Sequence, residues 1–184
     1  IPWADIDIFE RVGPALETKS IEEAAREMAI AEDALVLYGT STNPGILSAR
    51  DIPRVALSDW LRPGRVVADF LAAVEKLDTM GIKGPYEAIL SPHHYYSYLR
   101  QAGEGGFYPA AKQLGIVMAK VYNSPVIEGA VLFSTRGGDF MITVGGDFTV
   151  GYRSHDETAV HLLCVETIAA QLVNPEAVCI IRAD

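Results

Sequence analysis

Residues 20–39, SIEEAAREMAIAEDALVLYG, place Ile21, Ala24, Ala25, Met28 and Leu35 near one face at helical spacing. Ser20 with Glu23 three positions later forms a capping box. Gly39 suits the C-terminal stop. The predicted helix is roughly 27 Å long at 1.5 Å per residue, and its small Ala face implies close packing on a sheet or another helix. A second amphipathic pattern spans 64–81, GRVVADFLAAVEKLDTMG, with Val66, Phe70, Ala73 and Leu77 on one side. HHYYSYLRQAG, after Pro92, reads as a short helix. TSTNPGILS (40–48) and GEGGFYP (103–109) read as loops. The opening IPWADIDIFERVGPALETK reads as an extended arm, with Pro, Gly and few helix signals.

The second half carries strand patterns. GPYEAILSP gives a turn and a short buried strand, and GIVMAKVYNSP and GAVLFST give two more. GGDF then occurs twice, at 137–140 and 145–148. Each copy leads into an apolar, β-branched run, FMITV and FTVGY. That is the pattern of strands joined by tight turns, with glycine supplying positive φ. A phosphate cradle instead leads into a helix N-terminus, and neither G-x-G-x-x-G nor G-x-x-x-x-G-K-[ST] occurs in the chain. The repeat is similar to the diguanylate cyclase signature but lacks its extra acidic residue. In AVHLLCVETIAAQLV, Val160, Leu162, Cys164, Ile168, Ala170 and Leu172 alternate onto one face, and NPEAVCII supplies a last strand. The class is α+β: helices first, a largely antiparallel sheet after.

A length of 184 residues fits one domain, with or without an arm. Apolar residues make up 49% of the chain and charged residues 21%, with a mean hydropathy of +0.17. That leaves apolar surface for subunit contacts as well as a core. No run approaches the roughly 20 apolar residues that span a bilayer. The start has acidic residues and no apolar signal core, so it is not a secretory signal. The first residue is Ile1 rather than Met, the expected mark of a portion of a longer product. The net charge of −9, with Lys and Arg scattered, disfavours nucleic acid. Cys164 and Cys179, each in an apolar run, read as buried reduced thiols.

The candidate chemistry is sparse. His93 and His94 are neighbours without a third ligand at helical spacing, and read as a surface pair at a helix start. Ser154, His155 and Asp156 are contiguous, whereas a Ser–His–Asp relay is built in space. They read as a polar turn between strands. Glu22, Glu23, Glu27, Glu32 and Asp33 lack the Glu-x-x-His partners of a di-iron bundle, so they read as a solvated helix face. Trp3 and Trp60 sit among polar neighbours and read as exposed, which favours subunit contact over a planar ligand. The catalytic set is therefore empty, a profile that suits an assembly protein.

Several stretches together resemble one family: ERVGP before SIEEAAREMAIAEDALVLYG, then GIKGPYEAILSP, then RGGDFMITVGGDFTVGYRSHDETAVHLLCVETIAAQLVNPEAVCII. In that order, over nearly the whole chain, they are similar to the encapsulins (linocin-type bacteriocins), prokaryotic nanocompartment shells with the tailed-phage major capsid (Hong Kong 97-like) fold. The resemblance implies that residues 1–18 are the descending part of an extended E-loop arm and 19–63 the peripheral-domain helix with its following segment. It makes 64–150 the axial domain and 151–184 strands returning to the peripheral domain. It implies a non-enzymatic, cytoplasmic protomer that assembles with itself into an icosahedral shell. Such shells enclose a ferritin-like protein or peroxidase, for iron storage or oxidative defence. Cargo enters through a C-terminal targeting peptide, and the dock for it is incomplete here because the family's N-terminal portion precedes Ile1. Trp3 falls within one residue of a position that stacks flavin in some relatives. Gly115, Met118, Ala119 and Lys120 fall at the five-fold pore, which is short and apolar here. A phage major capsid protein and a hydrolase-type bacteriocin are the rival readings.

Overall fold

Every residue of β4 (Ala130–Ser134) is buried, as the apolar run Ala130–Phe133 requires of a strand covered on both faces. The structure is a computed structural model that describes residues 1–13, 19–103 and 118–183. Around β4 a five-stranded sheet is ordered β1 (Arg54–Ala56), β7 (Val178–Arg182), β4, β2 (Tyr86–Leu90) and β3 (Met118–Asn123). β2 and β7 flank β4 antiparallel, while β1 pairs with β7 and β3 with β2 in parallel. The sheet is thus mixed rather than largely antiparallel. Parallel neighbours need a crossover, and the chain between β2 and β3 supplies one that includes α4 (Pro92–Gly103).

Helix α3 (Arg65–Thr79) covers one face. Its Val66, Phe70, Ala73 and Leu77 are fully buried against Leu90, Leu132, Cys179 and Ile181, as the helical periodicity predicts. The other face carries Val131, Phe133 and Ile180, packed with Leu37 from the end of α2 (Lys19–Tyr38) and with Ile46 and Leu47 of a 3-10 turn. Gly129, at φ +73°, starts β4 where a Cβ would stand 2.2 Å from the Ile181 carbonyl oxygen, so the position requires glycine.

Trp60 is buried, not exposed: it is 3% accessible. Its indole packs on Phe70 and His94, and its N–H donates to Asp69 Oδ2 at 2.7 Å. The same carboxylate oxygen accepts from the Ser58 amide and hydroxyl, so one oxygen of the buried acid on α3 takes three hydrogen bonds. Polar neighbours in sequence concealed this because α3 and α4 close over the ring. Ser20 lies inside α2, which begins at Lys19, and Ala25 is exposed rather than on the packed face. Gly39 stops the helix as expected, at φ +72° with its N–H on Leu35 O.

The remaining strands stand apart from the sheet. β5 (Phe140–His155) and β6 (Val160–Leu172) form a two-stranded antiparallel ribbon roughly 50 Å long at about 3.3 Å per residue. Here the reading of two strands is corrected. Gly137 and Gly138 do form a turn, at φ +97° and +84°. Gly145 and Gly146 do not: they lie inside the single strand β5, where the register slips between Val144 and Gly146. Thr167 faces them from β6. The second glycine pair is a bulge, which bends a ribbon without ending it.

The opening is also corrected, because Trp3–Val12 is helix α1 rather than extended backbone. Pro2 precedes its first residue, Asp5 sits in its first turn and Arg11 in its last, and Gly13 at φ +91° ends it. Cys179 is buried, and burial pushes its thiol up to about 11; Cys164 is only half-buried, on the ribbon.

Candidate assembly interface

Away from its root the ribbon exposes apolar side chains on both faces. Cross-strand partners share a face, so Val150 with Cys164 and Tyr152 with Leu162 mark one side. Thr149 with Val165 and Gly151 with Leu163 mark the other. Val150, Tyr152, Leu163 and Val165 are between 43% and 63% accessible. Met141, Ile142 and Val144 continue the exposed apolar surface toward the root. Only the root itself packs on the core, through Phe140, Ala170 and Leu172. Helix α2 runs against β6.

The ribbon is anchored by the turn that begins it. Asp139, 5% accessible, accepts two hydrogen bonds from the Arg136 guanidinium at 2.7 and 2.8 Å and one from Asn174 Nδ2 at 3.1 Å. Its backbone carbonyl accepts from Val173 and Asn174, just beyond β6. One residue therefore ties both strand roots together. The Arg136 hydrogen bonds hold its carboxyl below the usual carboxylate range. The sequence reading missed this anchor, although the Arg–Gly–Gly–Asp spacing carries it.

At the far end the start of α1 clips onto the tip. Pro2 bridges Ala159, the Trp3 amide donates to Thr158 O at 3.1 Å, and the Trp3 indole N–H donates to Asp156 O at 2.9 Å. Asp156 organises the tip turn. Its carboxylate accepts from the Thr158 amide and hydroxyl, the Ala159 amide and His161 Nε2. Thr158 first and His161 second hold that carboxyl far below its ordinary range.

This geometry places the sequence candidates. Asp156 turns to Thr158, Ala159 and His161, while His155 bonds Tyr152 Oη through Nδ1 and Ser154 pairs in register with His161. The contiguous trio is not joined into a relay. His94 Nδ1 is hydrogen-bonded to Ser91 Oγ at 2.7 Å at the start of α4, and burial first, then His93, lowers its pKa. Among the described residues no group of three or more His, Cys, Asp or Glu could hold a metal. Glu22, Glu23 and Glu27 are exposed on α2, whereas Glu32 and Asp33 are half-buried.

Trp3 is 41% accessible, and its ring meets His155 edge-on at 6.0 Å. It offers a stacking face, but the cleft of about 480 Å³ lies at the opposite end of the ribbon, between Pro44–Ala49 and Thr143. Of the pore residues, Gly115 lies outside the described residues. Met118, Ala119 and Lys120 lie in β3, with Met118 opposite Tyr86, and the Lys120 side chain is exposed. No helix among the described residues is long and apolar enough to cross a membrane.

A mixed sheet flanked by helices and joined to a long ribbon is the architecture of the tailed-phage major capsid fold, the Hong Kong 97-like fold. The virus-like particle of Pyrococcus furiosus superposes with a TM-score of 0.65 at 21% identity, covering 85% of this chain and 63% of that one. A chain of Mycobacterium phage Che8 gives 0.59 at 13% identity, covering 94% and 65%. Residues 1–169 match the family described as encapsulating protein for peroxidase, and the chain belongs to that family, the encapsulins. It is 34% identical over 182 residues to the type 1 encapsulin shell protein of Rhodospirillum rubrum, covering 95% of this chain and 62% of that protein. The Mycobacterium tuberculosis shell protein is 32% identical over 177 residues, with 94% and 65% covered. The chain thus spans under two thirds of the length of these relatives.

Proposed function

We propose that the chain is a non-enzymatic tile of a self-assembling compartment, an icosahedral shell that encloses an enzyme cargo of the peroxidase or ferritin-like type. The carrying observation is the two-faced apolar ribbon. A two-stranded ribbon is marginal in water on its own, and exposed apolar surface of this extent marks contact with protein. Copies of the same tile are the partners that the family membership supports. The chemistry belongs to the cargo, which is held through a C-terminal targeting peptide inside the cell.

Sedimentation velocity and negative-stain microscopy of the purified chain test this. Large closed particles are expected. Val150→Glu with Val165→Glu, one charge on each ribbon face, should leave a folded chain that stays small. Wild-type chain that remains small at every concentration would refute the proposal. Flavin at Trp3 is a further part of it. Trp3 is 41% accessible, and flavin binding by the assembled particle should be lost in Trp3→Ala, read by visible absorbance.

A further inference from the structure

The charge of the chain is divided unequally in space. Helices α1 and α2 with the β5–β6 ribbon, residues 1–13, 19–38 and 140–172, carry twelve carboxylates against four basic side chains, a formal −8. The other described residues carry ten basic and nine acidic side chains, a formal +1. Nearly the whole net charge of −9 therefore lies on the ribbon and the two helices beside it.

The mixed sheet has two edge strands, β1 and β3, and the basic side chains gather at β1. Arg54 of β1 is exposed, the exposed Arg182 pairs with Ala56 two residues further along, and Lys76 of α3 reaches across to donate to the Arg54 carbonyl. Glu128 lies close enough to act with Arg182 on Tyr38 and offsets part of this charge, leaving Arg54, Arg182 and Lys76 against Glu128, a formal +2 among these four.

We propose that copies meet head to tail, with the acidic ribbon-and-helix unit of one seated against the basic β1 edge of the next. The inference rests on the shell reading and says how the tiles touch. A like-on-like contact would bring two −8 surfaces together, whereas the head-to-tail contact pairs opposite signs. Such heterologous contacts also close rings, as a shell needs. Within one copy the carboxylates already crowd each other: Glu32 has its pKa raised by burial, then by Glu166, Asp33 and Asp147.

A plainer reading exists, since Lys and Arg on an edge strand also deter unwanted strand pairing. It predicts that reversing those charges leaves correct assembly intact.

The test mixes ordinary and ¹⁵N-labelled chain, assembles them, and joins carboxylates to amines with a carbodiimide. Mixed-isotope links from Lys76 to carboxylates of α1, α2 or the ribbon are expected. Mixed-isotope links confined to Lys19, within the acidic unit, would overturn the inference. In parallel, Arg54→Glu with Arg182→Glu should slow assembly about tenfold or more at low salt, with Glu23→Lys and Glu27→Lys restoring part of the rate. The difference should vanish near 1 M salt, where screening acts within about 3 Å. Unchanged thermal melting of the dissociated variants shows that they fold. Equal assembly by wild type and the reversed variant would sink this contact alone, whereas wild type that never assembles would sink the shell reading with it.

Discussion

Replacing Asp139 by Ala should loosen the ribbon from the sheet. The carboxylate is 5% accessible and receives two charge-assisted bonds from Arg136 and one from Asn174. Hydrogen bonds to a charged group contribute about 1.5–3 kcal/mol. Arg136 keeps 35% of its side-chain exposure and regains water when its partner goes, so the lower half of that range applies. The expected loss is about 2 kcal/mol at pH 7, and about half that for Asp139→Asn, which keeps the Asn174 contact. The pH dependence follows from the lowered pKa. A depressed carboxyl stabilises the fold fully above its unfolded pKa, near 3.9, and loses that contribution as pH falls through the folded value. The stability gap between wild type and Asp139→Ala should therefore shrink as pH falls below about 4. Urea unfolding of dissociated chain at several pH values measures it, and hydrogen exchange at Val173 and Asn174 locates it. A gap that stays constant down to acid, or an effect below 0.5 kcal/mol at pH 7, would refute this account of the anchor.

Phe70→Ala should cost about 3–5 kcal/mol, because a fully buried ring leaves a cavity between α3 and the sheet; chemical denaturation of dissociated chain checks it. Glu32→Gln should stabilise the fold by a few tenths of a kcal/mol at neutral pH, the size of a like-charge pair on a helix. A raised carboxyl pKa stabilises below its unfolded value and loses that contribution as pH rises through the folded one, so this gain should disappear in acid melts. Trp3→Ala should free the α1 clip, raising hydrogen exchange at Val160 and at the tip turn while leaving the amides of β4 protected.

The parts of the fold legible in sequence are those where one periodicity decides burial. Val66, Phe70, Ala73 and Leu77 describe α3 because a single helix face meets a single sheet face. The even positions of β6 are the more buried ones because one ribbon face meets α2 and the core. Reading failed where punctuation has two meanings or where partners are distant. Pro2 and Gly13 suggested an irregular arm, yet Pro before a helix start and Gly after its end also delimit α1. Gly145–Gly146 suggested a turn, but the apolar residues on both sides pair with the same strand, so a bulge satisfies them. Trp60 is buried by residues 9 to 41 positions away, beyond the reach of local pattern. For the interface, the resemblance supplied the class of protein, while the two-sided exposure of the ribbon needed the register.

That exposure and the charge asymmetry bear on each other. Apolar contact is non-directional, so a ribbon with two apolar faces could stack on its own copy as readily as on any other surface. Stacking of that kind continues without closure and leads to aggregates. A formal −8 on the same unit opposes self-stacking but not approach to the near-neutral sheet with its basic edge. Hydrophobic burial would then supply most of the free energy of association while charge selects the orientation, which is the division found where complementarity governs rate and register more than affinity. Ribbon variants that add apolar surface should therefore tighten association, and variants that neutralise α2 should lose shape. Light scattering with microscopy on a Glu22→Gln, Glu23→Gln, Glu27→Gln chain would show irregular aggregates in place of closed particles. Uniform closed particles from that chain would mean that shape complementarity alone sets the orientation.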